Sequence, residues 1–165
     1  MNILIVYGTR HGTTEKCAGN LRDLLETDVD IIKLEKNGSY DLKPYDMVII
    51  GSPVYAGRLL KEVRSFLTSY REALLQKSLG LYLCCITPLH EAEKYLQSLF
   101  PPEMTARAQV QGIFGGVFDF QKMSFFEKLA IRYIKKVKGN MSTLSEEHIR
   151  LFSRAVLETR DTTLP

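Results

Sequence analysis

Apolar runs bounded by turn residues recur at Asn2–Tyr7, Val29–Leu34, Met47–Gly51, Leu79–Ile86 and Val110–Phe118, and each reads as a β-strand. Between them the apolar positions take helical spacing, at Thr13–Glu26, Leu59–Gln76 and Leu89–Phe100, with a last helix expected over Ser145–Glu158. The link Glu35–Tyr45 holds Asn37-Gly38 and Pro44, so any helix there is short. Strands apolar on both faces, alternating with helices, predict a parallel sheet covered on both sides, an α/β architecture. With 165 residues and 45% hydrophobic content, the chain is expected to form one domain over 1–165 with a substantial core.

The first strand stops abruptly at Gly8, Thr9, Arg10, His11, Gly12, Thr13 and Thr14, and a helix follows at once. Strand, hydroxyl-rich glycine loop and helix together make an anion seat. Backbone amides of the loop and of the helix start converge there, and the helix dipole favours negative charge. Thr9, Thr13 and Thr14 add hydroxyl donors, Arg10 adds charge, and the glycines allow close backbone approach. A phosphate is the expected guest.

Several phosphate-binding designs are excluded by residues. There is no Gly-x-x-x-x-Gly-Lys-Ser/Thr and no Gly-x-Gly-x-x-Gly. A Cys, five residues, Arg loop is absent, because Arg22 follows Cys17 one position too soon. A phosphoacceptor domain would need acidic residues where this chain has Tyr7, Gly8 and Thr9. The remaining design, hydroxyls without metal ligands, suits a permanently bound phosphomonoester.

On these residues the chain resembles the flavodoxin family, whose loop after the first strand, Thr/Ser-x-Thr-Gly-x-Thr, holds the phosphate of FMN. Thr9, Gly12 and Thr14 match, while His11 replaces the middle threonine. The segment Asp46 to Gly57, with Ser52-Pro53-Val54-Tyr55-Ala56-Gly57 after the expected third strand, is similar to the family's second landmark. The resemblance implies that Tyr55 stacks on the isoalloxazine and that a carbonyl near Ala56 or Gly57 accepts the flavin N5 proton. It also implies a third flavin-facing loop at Ile86-Thr87-Pro88, without an aromatic before His90. The implied fold is a flavodoxin-like three-layer sandwich with a five-stranded parallel sheet in order 2-1-3-4-5.

Composition modifies this picture. Three cysteines, Cys17, Cys84 and Cys85, make no disulfide framework and read as buried reduced thiols. No His/Cys cluster has metal-ligand spacing, and no run of eighteen apolar residues is present. The start lacks a basic n-region, so no signal peptide is expected and a cytoplasmic protein is. With 22 basic and 19 acidic side chains, the net charge is +3. Electron-carrier flavodoxins are strongly acidic, so this balance bears on partners and leaves the architecture untouched.

Between the fifth strand and the last helix lies 121–138, where an extra helix is expected. At roughly 100° per residue, Leu129, Tyr133, Phe126, Val137, Ala130 and Ile134 share one arc, and Lys128, Arg132, Lys135 and Lys136 the other. The segment reads either as a structural cover with a solvated basic face or as a peripheral contact with an anionic membrane, at its inner face, or with an acidic partner. It is similar to an insertion carried by the menaquinone-dependent protoporphyrinogen IX dehydrogenases, whose Thr-Arg-Asp-Gly loop also resembles Thr9-Arg10-His11-Gly12. Three classes follow. The first is an FMN oxidoreductase passing electrons from a reduced substrate such as protoporphyrinogen IX to a quinone. The second is a one-electron carrier between redox proteins, and the third a flavin-free interaction module. Nucleic acid is not among the expected partners.

Overall fold

The computed structural model of the chain describes residues 1–86, 89–118 and 141–161. The elements in chain order are β1 (Ile3–Tyr7), α1 (Thr13–Leu25), β2 (Val29–Lys33), β3 (Met47–Tyr55), β4 (Arg58–Leu59), α2 (Lys61–Ser69), α3 (Arg71–Leu74) and β5 (Ser78–Cys84). They continue with α4 (Leu89–Leu99), α5 (Pro102–Arg107), β6 (Ala108–Ile113), β7 (Val117–Phe118), β8 (Met141–Ser142) and α6 (Glu146–Asp161). The main sheet runs β2-β1-β3-β5-β6, with β4 attached to β3. Its five long strands are parallel, in register at Ile5↔Ile31, Ile5↔Ile49, Ile50↔Leu81 and Tyr82↔Gly112. Counted without β4, this is the expected order 2-1-3-4-5.

Alternation along the strands divides the core. Ile3, Ile5, Met47, Ile49 and Tyr82 pack under Cys17, Leu21 and Leu25 of α1 and Ile149, Phe152 and Val156 of α6. Leu4, Val6, Val48, Ile50 and Leu81 pack against Val63, Phe66, Leu74, Leu96 and Met104 on the other face. Every residue of β1 is buried, as a central parallel strand requires.

Three boundaries differ from the expected ones for physical reasons. The third strand does not stop at Gly51. It runs on to Tyr55, where β4 turns back along it, so the helix expected from Leu59 begins at Lys61. That helix also breaks at Tyr70, whose hydroxyl accepts the Tyr40 N–H at 2.8 Å and whose ring lies 4.9 Å from Phe66. The strand expected over Val110–Phe118 ends at Ile113. Gly115, at φ +85°, turns the chain out, and β7 pairs with β8 in a small separate sheet. A Cβ at Gly115 would sit 1.9 Å from the Thr143 carbonyl oxygen, so only glycine fits this exit. The link Glu35–Tyr45 forms no helix and is pinned by the Glu35 N–H donating to the Tyr40 hydroxyl at 2.8 Å. The expected basic helix at 121–138 lies outside the described residues.

At the carboxyl ends of β1 and β3 the two chains are tied by the Gly8 N–H, which donates to the Gly51 carbonyl at 3.1 Å. Gly51 also faces Tyr82 across the sheet, and a Cβ there would meet the tyrosine ring at 2.0 Å. Tyr82 is fully buried and cannot yield outward. Gly51→Ala should therefore lower the unfolding free energy by about 1–3 kcal/mol, read as an earlier urea midpoint. An unchanged midpoint would contradict this packing.

Candidate cofactor site

The loop 8–12 reaches α1 through Gly12, whose φ of +86° places the helix start directly behind it. The Gly12 N–H donates to the Thr9 hydroxyl at 3.0 Å, which leaves that hydroxyl its own proton to give. No side chain caps α1, and its first backbone bond is the Lys16 N–H to the Gly12 carbonyl at 3.0 Å. The leading amides of the helix are thus held by no capping side chain, and a Cβ added at Gly12 would meet nothing within 4 Å. Thr13 is half-buried and Thr14 fully buried. The Thr14 hydroxyl makes no hydrogen bond among the described residues.

Beneath the loop the floor is neutral. The Tyr82 hydroxyl donates to the Thr14 carbonyl at 3.4 Å, and Cys84 Sγ lies 3.6 Å from Cys17 Sγ. Burial pushes both the Tyr82 hydroxyl and the Cys84 thiol well above their ordinary pKa values. Thr14 lies close enough to favour ionised Cys84, but burial and the Cys17 thiol outweigh it. Cys17 and Cys84 are buried, as expected, whereas Cys85 is only half-buried. Tyr7, at the end of β1, is likewise held protonated, by burial first and then by the Glu15 carboxylate.

The second segment is a hairpin rather than an open loop. Ser52, Pro53, Val54 and Tyr55 belong to β3, and only Ala56 and Gly57 form the turn, both with positive φ, 47° and 70°. Two such residues between paired strands match the twist of a tight hairpin. Ser52 is committed internally: its hydroxyl donates to the Pro53 carbonyl at 2.8 Å and accepts the Leu60 N–H at 3.3 Å. Pro53 is buried, and Val54 packs against the α2 side of the core. Tyr55 pairs with Arg58, so both side chains stand on the same face of the hairpin. The Arg10 guanidinium carbon lies 4.7 Å from the Tyr55 ring centroid, and the His11 ring lies 6.0 Å from it, tilted by 46°.

The structure therefore brings Thr9–Thr14 and Tyr55 together and turns Ser52 and Pro53 inward. Ile86 is half-buried just beyond the end of β5, against Gly116. Thr87 and Pro88 lie outside the described residues, as does the His90 side chain. Sequence reasoning missed Tyr82 and the Cys17–Cys84 floor, which share no motif and meet only through the sheet register. The donor set fits a phosphate: amides at a helix start, an acceptor-bound Thr9 and a buried Thr14 hydroxyl lacking a hydrogen bond.

A family model described as flavodoxin domain matches residues 4–145. The chain belongs to the flavodoxin domain family. Protoporphyrinogen IX dehydrogenase [quinone] of Leishmania major is 24% identical over 159 residues, which cover 87% of this chain and 66% of that protein. The chain thus spans just under two thirds of that relative's length. Oxidised flavodoxin 1 from Bacillus cereus superposes with a TM-score of 0.59 at 13% identity, covering 100% of both chains. A Fusobacterium nucleatum flavodoxin mutant bound to flavin mononucleotide gives 0.50 at 19% identity, covering 67% of this flavodoxin domain and 66% of its own chain. At these identities the structural similarity establishes the shared fold.

In the hairpin turn of this flavodoxin domain Ala56 carries the strain, because a left-handed residue other than glycine costs about 1–2 kcal/mol. Asn tolerates that conformation and precedes glycine in favoured hairpin turns. Ala56→Asn should raise the unfolding free energy by about 0.5–1 kcal/mol in urea titrations. A destabilised variant would contradict the turn geometry.

Proposed function

We propose that this flavodoxin domain, as one unit over 1–165, binds FMN and serves as an oxidoreductase that passes electrons from a reduced substrate to a quinone. The buried Thr14 hydroxyl at an uncapped helix start carries the reading, since a phosphomonoester supplies a far better acceptor than the Cys84 thiol beside it. When bound, FMN supplies a redox centre that exchanges one or two electrons. The chain's own residues bind and orient it. Thr14, Thr9 and the loop amides donate to the phosphate, and the α1 dipole favours its charge. The neutral floor of Tyr82 and Cys84 places no anion beneath it. Tyr55 offers a ring for stacking, and the Ala56–Gly57 turn presents peptide groups at the hairpin tip. Arg58 and Lys61, both exposed, stand next to that tip and can receive substrate carboxylates.

The named relative from Leishmania major supports protoporphyrinogen IX as the substrate and a quinone as the acceptor. A net charge of +3 supports an enzyme over an acidic shuttle. A membrane quinone as acceptor would call for peripheral contact with the bilayer, and no helix among the described residues is long and apolar enough to cross one. Similarity to a flavodoxin over the whole chain favours a second reading, a one-electron carrier between redox proteins.

Turnover of FMN-loaded protein with protoporphyrinogen IX and a menaquinone analogue separates the two. An oxidoreductase gives quinone-dependent loss of the porphyrinogen over many turnovers. A carrier gives none and instead exchanges electrons with redox proteins. Protein that takes up no FMN at micromolar concentration would overturn both.

A further inference from the structure

The two segments of the candidate site meet through side chains as well as through the Gly8–Gly51 backbone bond. Arg10 belongs to the phosphate loop, yet its guanidinium lies 4.7 Å from the centroid of Tyr55 in the hairpin. The His11 ring approaches the same tyrosine at 6.0 Å. On the hairpin itself Arg58 is Tyr55's cross-strand partner and shares its face. Tyr55 is half-buried, whereas the turn residues beyond it, Ala56 and Gly57, are exposed. One side of the Tyr55 ring packs on the core beside α2, and the part left outside that contact is where Arg10 and His11 approach. A planar guanidinium over an aromatic face is an attractive and oriented contact.

We propose that Arg10 is a positioning residue that acts through Tyr55, holding the ring in place for a stacked planar ligand, rather than a ligand of the phosphate. The inference rests on the reading of this site as a flavin site. It explains why a cation sits in a loop whose phosphate donors are hydroxyls and amides. It also makes the phosphate loop and the stacking ring a coupled unit, since displacing one loses the contact that orders the other.

The two roles differ for a ligand that lacks the phosphate. Riboflavin carries the ring system without it, so a positioning role affects riboflavin and FMN alike, and a phosphate contact affects FMN alone. Fluorescence quenching titrations of both ligands are run on wild type, Arg10→Ala, Tyr55→Leu and the double variant. The expected result is a weakening of about threefold to tenfold for both ligands in Arg10→Ala. In the Tyr55→Leu background the same arginine substitution should then have no further effect. Weakening of FMN alone makes Arg10 a phosphate ligand and overturns the proposal. Tighter binding of either ligand makes Arg10 a competitor for the ring face, and unchanged affinities leave it a surface residue; both overturn it too. Wild-type protein that binds neither ligand fails the flavin reading itself, an outcome distinct from wild type that binds both while Arg10→Ala changes nothing.

Discussion

The Tyr82 ring holds the sheet and the site in one piece. It lies across Gly51 of β3, stacks on Phe114 at 4.7 Å and meets Phe152 of α6 edge-on at 6.2 Å. Its hydroxyl reaches the Thr14 carbonyl in the first turn of α1 at 3.4 Å. The position of α1's amino end, and so of the phosphate seat, is set by a residue from the neighbouring strand but one. Close packing makes this placement stiff, because an aromatic cluster without voids transmits displacement instead of absorbing it. Glycine at 51 is the condition for the whole arrangement.

Stability is given up at the ligand-facing side of that frame. A buried hydroxyl with nothing better than a thiol beside it costs up to about 1–3 kcal/mol, and the left-handed Ala56 adds to it. Both costs fall where the cofactor is proposed to sit. The Thr14 cost is one that an anion can remove, so binding and stability are linked through the same oxygen. The charge balance fits a site that handles anions: Arg10 and Arg58 flank Tyr55, and exposed Lys61 begins the helix that follows, while Cys84 and Tyr82 beneath stay neutral.

Much of the fold was legible in the pattern of apolar runs, because central parallel strands are buried on both faces and read as continuous blocks. Ile3 to Val6 and Val48 to Ile50 could hardly be anything else. The phosphate loop was legible because glycines and hydroxyls carry local geometry. The hairpin was not. Ser52 to Tyr55 lacks the apolar alternation of a strand, and its pairing with Arg58–Leu59 depends on two left-handed residues, one of them alanine. The exit at Gly115 was hidden for a similar reason, since Phe114, Val117 and Phe118 look like strand whichever way the chain runs. Tyr82 gave no signal at all: its role comes from facing a glycine in another strand, and register is a property of the sheet. The Arg10–Tyr55 contact joins residues 45 positions apart and was equally silent.

The central claim is that a phosphate binds at the start of α1 through the Thr14 hydroxyl, and calorimetric titration of FMN and riboflavin into wild type and Thr14→Ala tests it most directly. A charge-assisted hydrogen bond predicts a loss of about 1.5–3 kcal/mol of FMN affinity in the variant, with riboflavin affinity unchanged. FMN affinity that survives the substitution, or falls no more than that of riboflavin, would contradict the account.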